Sequence, residues 1–346
     1  MKKNLFISFI STVGISLLIT IIIIIISTKE TNMAIKMFFL GPFTNFYFFG
    51  NMITTALPLI CTGIATSIAF SSGVFNVGLQ GQLFVGALAG TYFAYCLPSN
   101  FPVIIATIAV LIVSFLTGGA AAHISTYLEK KLNISLFLSS ILMSNALQYI
   151  VIYILEGPFH DPYAGFSAAS PYINERFMFA KILPPSDLHI GLFVAFGFVF
   201  LYYFLMERGV IGYELKIIGK NPLFAYYGGI SKQRIATIIM FISGGLAGVA
   251  GAFDIFGVQG RMIGMLAGYG WTGIAVAIVA RYDPILIVLV SIFFSYIQKG
   301  AEVGALFSDI TVEMAQVIQG TIFFLVTAEG LLDYIKRSKK GANRND

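Results

Sequence analysis

Side chains that commonly carry chemistry are few in this sequence of 346 residues. The three histidines, His123, His160 and His189, form neither an H-E-x-x-H motif nor a pair four residues apart, so no metal site is predicted. No G-x-S-x-G turn is present to expose a serine, and no G-x-x-x-x-G-K-[ST] loop is present to hold phosphates. The sequence therefore predicts no catalytic residue, and no metal or cofactor bound by this chain.

Two segments instead combine glycines with side chains that can bind a polar molecule. Ser71–Gln82 (SSGVFNVGLQGQ) contains three glycines, one asparagine and two glutamines, whose amides both donate and accept hydrogen bonds. Gly264–Pro284 (GMLAGYGWTGIAVAIVARYDP) places aromatic rings and a hydroxyl beside glycines, a pattern that suits the stacking of a heterocyclic base or a sugar ring. The candidate binding residues are Asn76, Gln80, Gln82, Tyr269, Trp271 and Thr272.

Each segment also has a simpler interpretation. Ser71 to Asn76 is compatible with a turn between two helices, and Trp271 is compatible with an aromatic anchor at a membrane interface. The functional interpretation is that glycines let a helix unwind where irregular backbone lines a polar cavity. Two such breaks in one chain favour a transport pathway.

The amino-acid composition indicates which secondary-structure elements hold these two segments. Apolar residues make up 58% of the chain and charged residues 11%, against about 45–50% and about 25% in soluble domains. Apolar runs of about 20 residues predict membrane-spanning helices. The fold class expected is an all-α, polytopic membrane protein of about ten transmembrane helices, with broken helices lining a central pathway. The runs cover residues 5–27, 51–71, 77–97, 102–123, 134–155, 188–206, 235–257, 264–281, 284–299 and 311–332.

The basic residues indicate orientation. With the N-terminus inside, 15 of the 21 Lys and Arg residues fall on the inner side, which predicts that both termini are cytoplasmic. They therefore serve as topology signals, and the sequence pI of about 9.0 does not indicate nucleic acid as a partner. The helix count carries an uncertainty of one, because residues 37–49 are also apolar and could dip into the lipid bilayer.

The chain is predicted to form a single transmembrane domain over residues 1–346 with three larger extramembrane segments. The proline-rich residues 156–188 form an external loop, and residues 333–346 form a basic cytoplasmic tail. Residues 207–234 form a cytoplasmic loop with apolar residues at helical spacing, which predicts a short amphipathic helix broken at Asn221-Pro222. This inner loop is the predicted protein contact.

Asp254 is the one acidic residue well inside an apolar run. Two interpretations stay open: it contacts a substrate or ion, or it ends a helix near the outer interface. Gln298, Gln316 and Gln319 are polar but neutral. Because carboxylates inside helices usually carry proton- or sodium-driven transport, their scarcity indicates that the driving force comes from elsewhere.

Three blocks of the sequence resemble the permeases of nucleoside and simple-sugar ABC importers. Ala56–Gly90 (ALPLICTGIATSIAFSSGVFNVGLQGQLFVGALAG) is similar to that family's a-PLI-TGLavAFa-GlFNIG-EGQ. Glu214–Ile230 (ELKIIGKNPLFAYYGGI) resembles its L-R-a-v-G-x-N-P-x-A-A-x-y-a-G-I, and Gly268–Pro284 resembles its GyGfdGIAVAllgr-P. The blocks occur in the family's order and extend over residues 50 to 300.

The resemblance implies an importer in the cytoplasmic membrane with several other subunits. A second permease, often a non-identical paralogue, and two cytoplasmic ATPases that bind ATP and Mg²⁺ would accompany this chain, and an external lipoprotein would deliver the substrate. Two positions depart from the family's pattern, because Gln80 and Thr272 stand where an acid is usual. Both departures remove a charge, which puts in doubt any role that needs a carboxylate there.

The resemblance also implies that the inner loop couples this chain to the ATPase. The residues expected to act there are Glu214, Lys216, Gly219, Asn221, Pro222 and Tyr226. An amphipathic helix on the membrane surface without a partner is the alternative.

The function expected is the permease subunit of an ABC importer for nucleosides. A simple sugar such as ribose is the alternative cargo, and a secondary transporter or channel is the alternative class. Neighbouring genes for an ATPase and a lipoprotein would favour the importer.

Overall fold

The computed structural model describes residues 2–165, 167–264 and 268–324, and α-helices dominate these residues. In chain order the helices are α1 Lys2–Ser27, α2 Thr31–Leu40, α3 Phe46–Ser71, α4 Leu79–Cys96, α5 Val103–Leu132, α6 Leu136–Glu156, α7 Gly191–Arg208, α8 Val210–Lys220, α9 Pro222–Tyr227, α10 Lys232–Asp254, α11 Tyr269–Val279, α12 Pro284–Phe307 and α13 over residues 313–324. The predicted basic tail at 333–346 lies outside the described residues.

Within the described residues, five helices are long and apolar enough to cross a membrane. They are Phe46–Ser71, Val103–Leu132, Leu136–Glu156, Gln233–Gln259 and Pro284–Phe307. Every apolar run predicted from the sequence contains a helix, but several of these helices are shorter than a full crossing. The apolar stretch 37–49 holds the end of α2, a 3₁₀ turn at Gly41–Phe43 and the start of α3.

Helix α11 corrects one prediction. The run 264–281 was expected to span the membrane, but the helix covers only the 11 residues Tyr269–Val279. At about 1.5 Å per residue it is about 16 Å long, roughly half of the hydrocarbon thickness. The chain reaches it from α10 through a π-helical turn at Ile255–Gln259, which ends at Gly260 in the left-handed conformation (φ 70°). A half-length helix thus follows a glycine break.

Helices α4, α5 and α10 meet at a junction made of small residues. A Cβ added to Gly248 of α10 would overlap the Ser114 carbonyl oxygen of α5, and one added to Gly244 would overlap the Gly118 carbonyl oxygen. On α4, a Cβ added to Gly86 would overlap Gly248 itself. Small residues four apart let helix backbones touch in this way, as the SGGLAGVAGA pattern predicts.

The segment 157–190, between α6 and α7, pairs with the chain that links α10 to α11. Backbone N–H groups of Ser170 and Gly264 donate to the carbonyl oxygens of Met262 and Ala168 over 2.9 Å and 2.7 Å. Arg261 lies 3.6 Å from the Asp161 carboxylate. The break before α11 is therefore held in place by this segment, which contains most of the predicted external loop.

Candidate functional site

The first glycine break is fixed by a closed set of amide hydrogen bonds. The Asn76 Nδ2 donates to Gln82 Oε1 over 2.9 Å, and the Gln82 Nε2 donates back to Asn76 Oδ1 over 3.0 Å. Asn76 Nδ2 also donates to Ser243 Oγ of α10 over 2.9 Å, and Asn76 Oδ1 accepts the Gly78 N–H over 3.1 Å. Both side chains are buried. We call Asn76, Gln82 and Ser243 the amide lock.

Two of the predicted binding residues, Asn76 and Gln82, belong to the amide lock. Asn76 and Gln82 line neither of the two cavities described below, because their polar atoms face each other and Ser243. The break itself connects two separate helices, α3 and α4, as the simpler interpretation of Ser71 to Asn76 holds.

Gln80 joins the first glycine break to the second. Its side-chain Oε1 accepts the backbone N–H of Gly270 over 2.8 Å, in the first turn of α11. A Cβ on Gly270 would lie 2.5 Å from the Gln80 backbone nitrogen, so only glycine allows this approach. The first N–H groups of a helix lack intrahelical acceptors, and Gln80 supplies one. No local pattern predicts that these two residues, 190 positions apart, lie in contact.

Serines of α6, which sequence reasoning missed, satisfy other backbone groups of the first break. Ser140 Oγ accepts the Val77 N–H over 3.2 Å, and Ser144 Oγ accepts the Gly81 N–H over 2.9 Å. Their spacing of four residues, one turn of α6, was the signal available. These bonds let irregular backbone lie buried without orphaned donors.

The other three predicted binding residues, Tyr269, Trp271 and Thr272, line a cavity of about 720 Å³. We call it the aromatic cavity, because rings of α11 and α12 form much of its wall together with three glutamine side chains. The aromatic and amide residues on its wall are Phe70, Phe137, Tyr269, Trp271, Phe294, Gln298, Gln316, Gln319 and Phe323. Trp271 is 47% exposed, so its ring is accessible. This cavity lies within the range of about 300–1,000 Å³ typical of small-molecule sites.

A second, smaller cavity of about 220 Å³ lies between α3, α11, α12 and the end of α10. We call it the polar cavity. Its polar wall residues are Thr54, Thr55, Asp254, Gln259, Tyr269, Gln298, Lys299 and Glu302. Tyr269 and Gln298 line both cavities, which therefore adjoin each other at these two side chains. Asp254, whose role the sequence left open, thus lies at a cavity wall.

The charges of the polar cavity are arranged in one ion pair and one separate carboxylate. Lys299 Nζ lies 2.5 Å from Glu302 Oε2, and Gln298 Nε2 donates to Glu302 Oε1 over 3.4 Å. Asp254 Oδ1 accepts a long, 3.5 Å hydrogen bond from Tyr269 Oη. Sequence reasoning missed Glu302, because the predicted span ended at residue 299 whereas α12 continues to Phe307.

No group of three or more His, Cys, Asp or Glu side chains suited to a metal ion occurs in the part of the chain that the structure describes.

The inner loop forms α8 and α9, with the break at the predicted position. Asn221 follows the last residue of α8, and its Oδ1 accepts the Phe224 N–H over 3.0 Å, which caps α9 at Pro222. A Cβ on Gly219 would lie 2.5 Å from the Ser71 carbonyl oxygen, at the end of α3. The α8 helix therefore touches the first glycine break directly.

One face of α8 and α9 is packed and the other is exposed. Leu215, Ile218 and Ala225 are buried. Lys216 is exposed and Glu214 is partly buried. Beyond Val210 at the start of α8, the large apolar and aromatic side chains exposed among the described residues of these helices are Tyr213, Leu223, Phe224, Tyr226 and Tyr227, with Tyr226 73% exposed. We call these five residues the inner apolar face. Such a contiguous patch is typical of a protein interface.

Comparisons with known proteins agree with the fold. Residues 48–327 match the family described as branched-chain amino acid transport system / permease component. Over 306 residues the chain is 28% identical to a glucose ABC transporter permease of Haloferax volcanii, covering 84% of this chain and 78% of the relative.

Two further relatives are nucleoside permeases by name. The guanosine ABC transporter permease NupP of Bacillus subtilis is 28% identical over 309 residues, covering 88% of each chain. The nucleoside ABC transporter permease NupB of Lactococcus lactis is 24% identical over 307 residues, covering 86% of this chain and 84% of the relative. Both alignments are long enough to contain most of the helices described above.

Proposed function

Because the chain belongs to the branched-chain amino acid transport system / permease component family, and is thus a multi-pass permease of an ABC importer in the cytoplasmic membrane, we propose that its cargo is a nucleoside. One observation carries the proposal: the guanosine permease of Bacillus subtilis matches 88% of this chain at 28% identity. The glucose permease of Haloferax volcanii is as similar, so a simple sugar such as glucose or ribose is the second candidate.

The aromatic cavity supports a nucleoside over a sugar. Its wall offers aromatic rings, above all the exposed ring of Trp271 beside Tyr269, together with the amides of Gln298 and Gln316. Ring faces stack on a planar base, and amides can hydrogen-bond the base edge. A sugar alone would leave most of this apolar wall unused.

A second permease subunit completes the proposed pathway. Gln316 of α13 and Trp271 of α11 are both exposed beside the aromatic cavity. A polar amide exposed on a membrane helix is unfavourable against lipid, so another protein surface is expected to cover it. We infer that a paralogous permease lies there, so that the pathway runs between the two subunits. Ten spans with both termini inside belong to the same proposal, supported by the 15 of 21 basic residues on the inner side.

The inner apolar face is the proposed contact with the ATPase, which binds ATP and Mg²⁺; this chain is proposed to have no catalysis of its own. The contact of Gly219 with Ser71 gives movement of α8 a direct route to the first glycine break. Glu214, Lys216, Asn221 and the start of α9 at Pro222 stay the predicted coupling residues. An external lipoprotein is proposed to deliver the cargo to the side that carries segment 157–190.

The cargo is tested by uptake into proteoliposomes that hold this chain, its partner permease, the ATPase and the lipoprotein. We expect ATP-dependent uptake of labelled guanosine and uridine that unlabelled nucleosides compete and unlabelled ribose or glucose does not. If only the sugars competed, the proposed cargo would be a sugar and not a nucleoside. Uptake by vesicles that hold this chain alone would refute the ABC importer mechanism.

Coupling is tested at Gly219. Gly219→Leu should separate α8 from Ser71 and lower cargo-stimulated ATP hydrolysis about tenfold, while the ATPase still copurifies with the permeases. The matched control is Gly197→Leu in α7, where an added Cβ meets no atom within 4 Å. Unchanged stimulation in Gly219→Leu would contradict the proposed coupling.

A further inference from the structure

The polar cavity contains a buried carboxylate without an adequate partner. Asp254 is 6% exposed, and the one hydrogen bond that it forms within the described part of the chain, from Tyr269 Oη, is 3.5 Å long. Among the residues that the structure describes, it forms no ion pair: Lys299 is paired with Glu302 instead. Buried carboxylates are almost always paired or hydrogen-bonded, because leaving water without compensation is costly. A donor that pairs with Asp254 would therefore lie in the polar cavity, which Asp254 lines.

The two threonines on the wall near Asp254 offer hydrogen-bond acceptors. The hydroxyls of Thr54 and Thr55 donate to the carbonyl oxygens of Gly50 and Asn51, over 2.9 Å and 3.0 Å. Their oxygen lone pairs stay available as acceptors. The Lys299 ammonium donates one of its three N–H groups to Glu302. A ligand group rich in O–H donors therefore suits the part of the wall that Asp254, Thr54 and Thr55 form.

The two cavities differ in volume, and therefore in the chemical group that each can hold. The polar cavity has about 220 Å³, less than the roughly 300 Å³ at the lower end for small-molecule sites, and the aromatic cavity has about 720 Å³. The exposed ring of Trp271 belongs to the larger cavity alone. A planar base therefore fits the aromatic cavity, whereas the polar cavity suits a compact group rich in hydroxyls.

We propose that the polar cavity binds the vicinal hydroxyls of a pentose ring, with the Asp254 carboxylate as their acceptor, while the attached base lies across Tyr269 in the aromatic cavity. This inference rests on the proposed nucleoside cargo, since it names the part of the cargo that each cavity recognises. A carboxylate can accept two O–H donors at once, and such charge-assisted hydrogen bonds are stronger than neutral ones.

The experiment compares ribonucleosides with analogues that lack both hydroxyls. Uptake of guanosine and 2′,3′-dideoxyguanosine, and of uridine and 2′,3′-dideoxyuridine, is measured in the reconstituted complex with wild-type chain and with Asp254→Asn. The lipoprotein is the same in both complexes, so a changed ratio between ribonucleoside and analogue belongs to the permease. We expect that ratio to fall about tenfold in Asp254→Asn for both bases.

Uptake of the dideoxy analogues should stay as in the wild type, which also reports that the variant is folded. An unchanged ratio would overturn the inference and leave the cargo proposal standing. Equal loss of ribonucleosides and analogues would overturn it as well, because Asp254 would then be structural. A change confined to guanosine would assign Asp254 to the base. No uptake of any nucleoside by the wild-type complex would refute the cargo proposal and this inference together.

The matched control is Asp309→Asn, outside both cavities. The Thr28 hydroxyl and the Lys29 N–H donate to the Asp309 carboxylate, and these hydrogen bonds lower its pKa from the usual value, so it is charged at neutral pH. The control thus removes a charge of the same kind elsewhere. Its ratio of ribonucleoside to dideoxy uptake should equal that of the wild type, and a tenfold fall there would overturn the assignment to Asp254.

Discussion

The amide lock and the polar cavity are both buried polar clusters between helices, yet they differ in how their hydrogen bonds are filled. In the amide lock, Asn76 and Gln82 exchange two hydrogen bonds of 2.9 Å and 3.0 Å. Asn76 also donates to Ser243 and accepts the Gly78 N–H. In the polar cavity, Asp254 forms one hydrogen bond of 3.5 Å with the residues that the structure describes, and it lies beside open space. A satisfied cluster fixes the fold, whereas an unsatisfied one has room for a ligand.

The largest expected effect comes from breaking the amide lock. Asn76→Ala leaves the Gln82 amide and the Gly78 N–H buried without partners, and we expect a loss of about 2–4 kcal/mol in the free energy of unfolding. Denaturant unfolding of the purified chain in detergent measures it.

The double variant Asn76→Leu with Gln82→Leu sharpens this test. Because both amides are replaced by apolar side chains, it should lose less stability than Asn76→Ala. If the double variant were the less stable of the two, the amides would not act as a pair.

An intermediate effect is expected where the two glycine breaks meet. Gln80→Leu removes the acceptor of the Gly270 N–H, and we expect about 1–2 kcal/mol lower stability in the same unfolding measurement. Gln80→Glu is the matched variant, because it keeps an acceptor and places a negative charge at the N-terminus of α11, where the helix dipole favours it. If Gln80→Glu were as unstable as Gln80→Leu, capping would not explain the role of Gln80.

The smallest effect on stability is expected at Asp254. Asp254→Asn keeps the size of the side chain and removes a poorly compensated charge, so the free energy of unfolding should change by less than about 1 kcal/mol. The unfolding curves of this variant and the wild type are compared directly. A loss as large as that of Asn76→Ala would remove the distinction between the two clusters.

The sequence predicted the helices well, because apolar runs and polar gaps reflect the membrane directly. It also predicted that Tyr269, Trp271 and Thr272 lie together, since they are adjacent in the chain and share one break. It did not predict that the helix in the run 264–281 is only half-length, because apolar composition does not show that the helix begins after Gly268.

Contacts between distant residues were the part that could not be predicted. Asn76 and Gln82 carry the amides expected of binding residues, and only their pairing with Ser243 shows that they are already satisfied. The polar cavity combines Asp254 with Lys299 of a different helix, and no local pattern joins them. Side-chain type thus indicates what a residue can do, and packing decides whether it is free to do it.

The glycine junction limits how this permease can change shape. Where Gly86, Gly244 and Gly248 bring backbones into contact, neither helix can slide past the other without carbonyl oxygens colliding with Cα atoms. We therefore expect helices α4, α5 and α10 to turn as one body, with the start of α11 held to α4 by Gln80. If this body turns relative to α12, the polar cavity between them changes shape, and with it the space around Asp254.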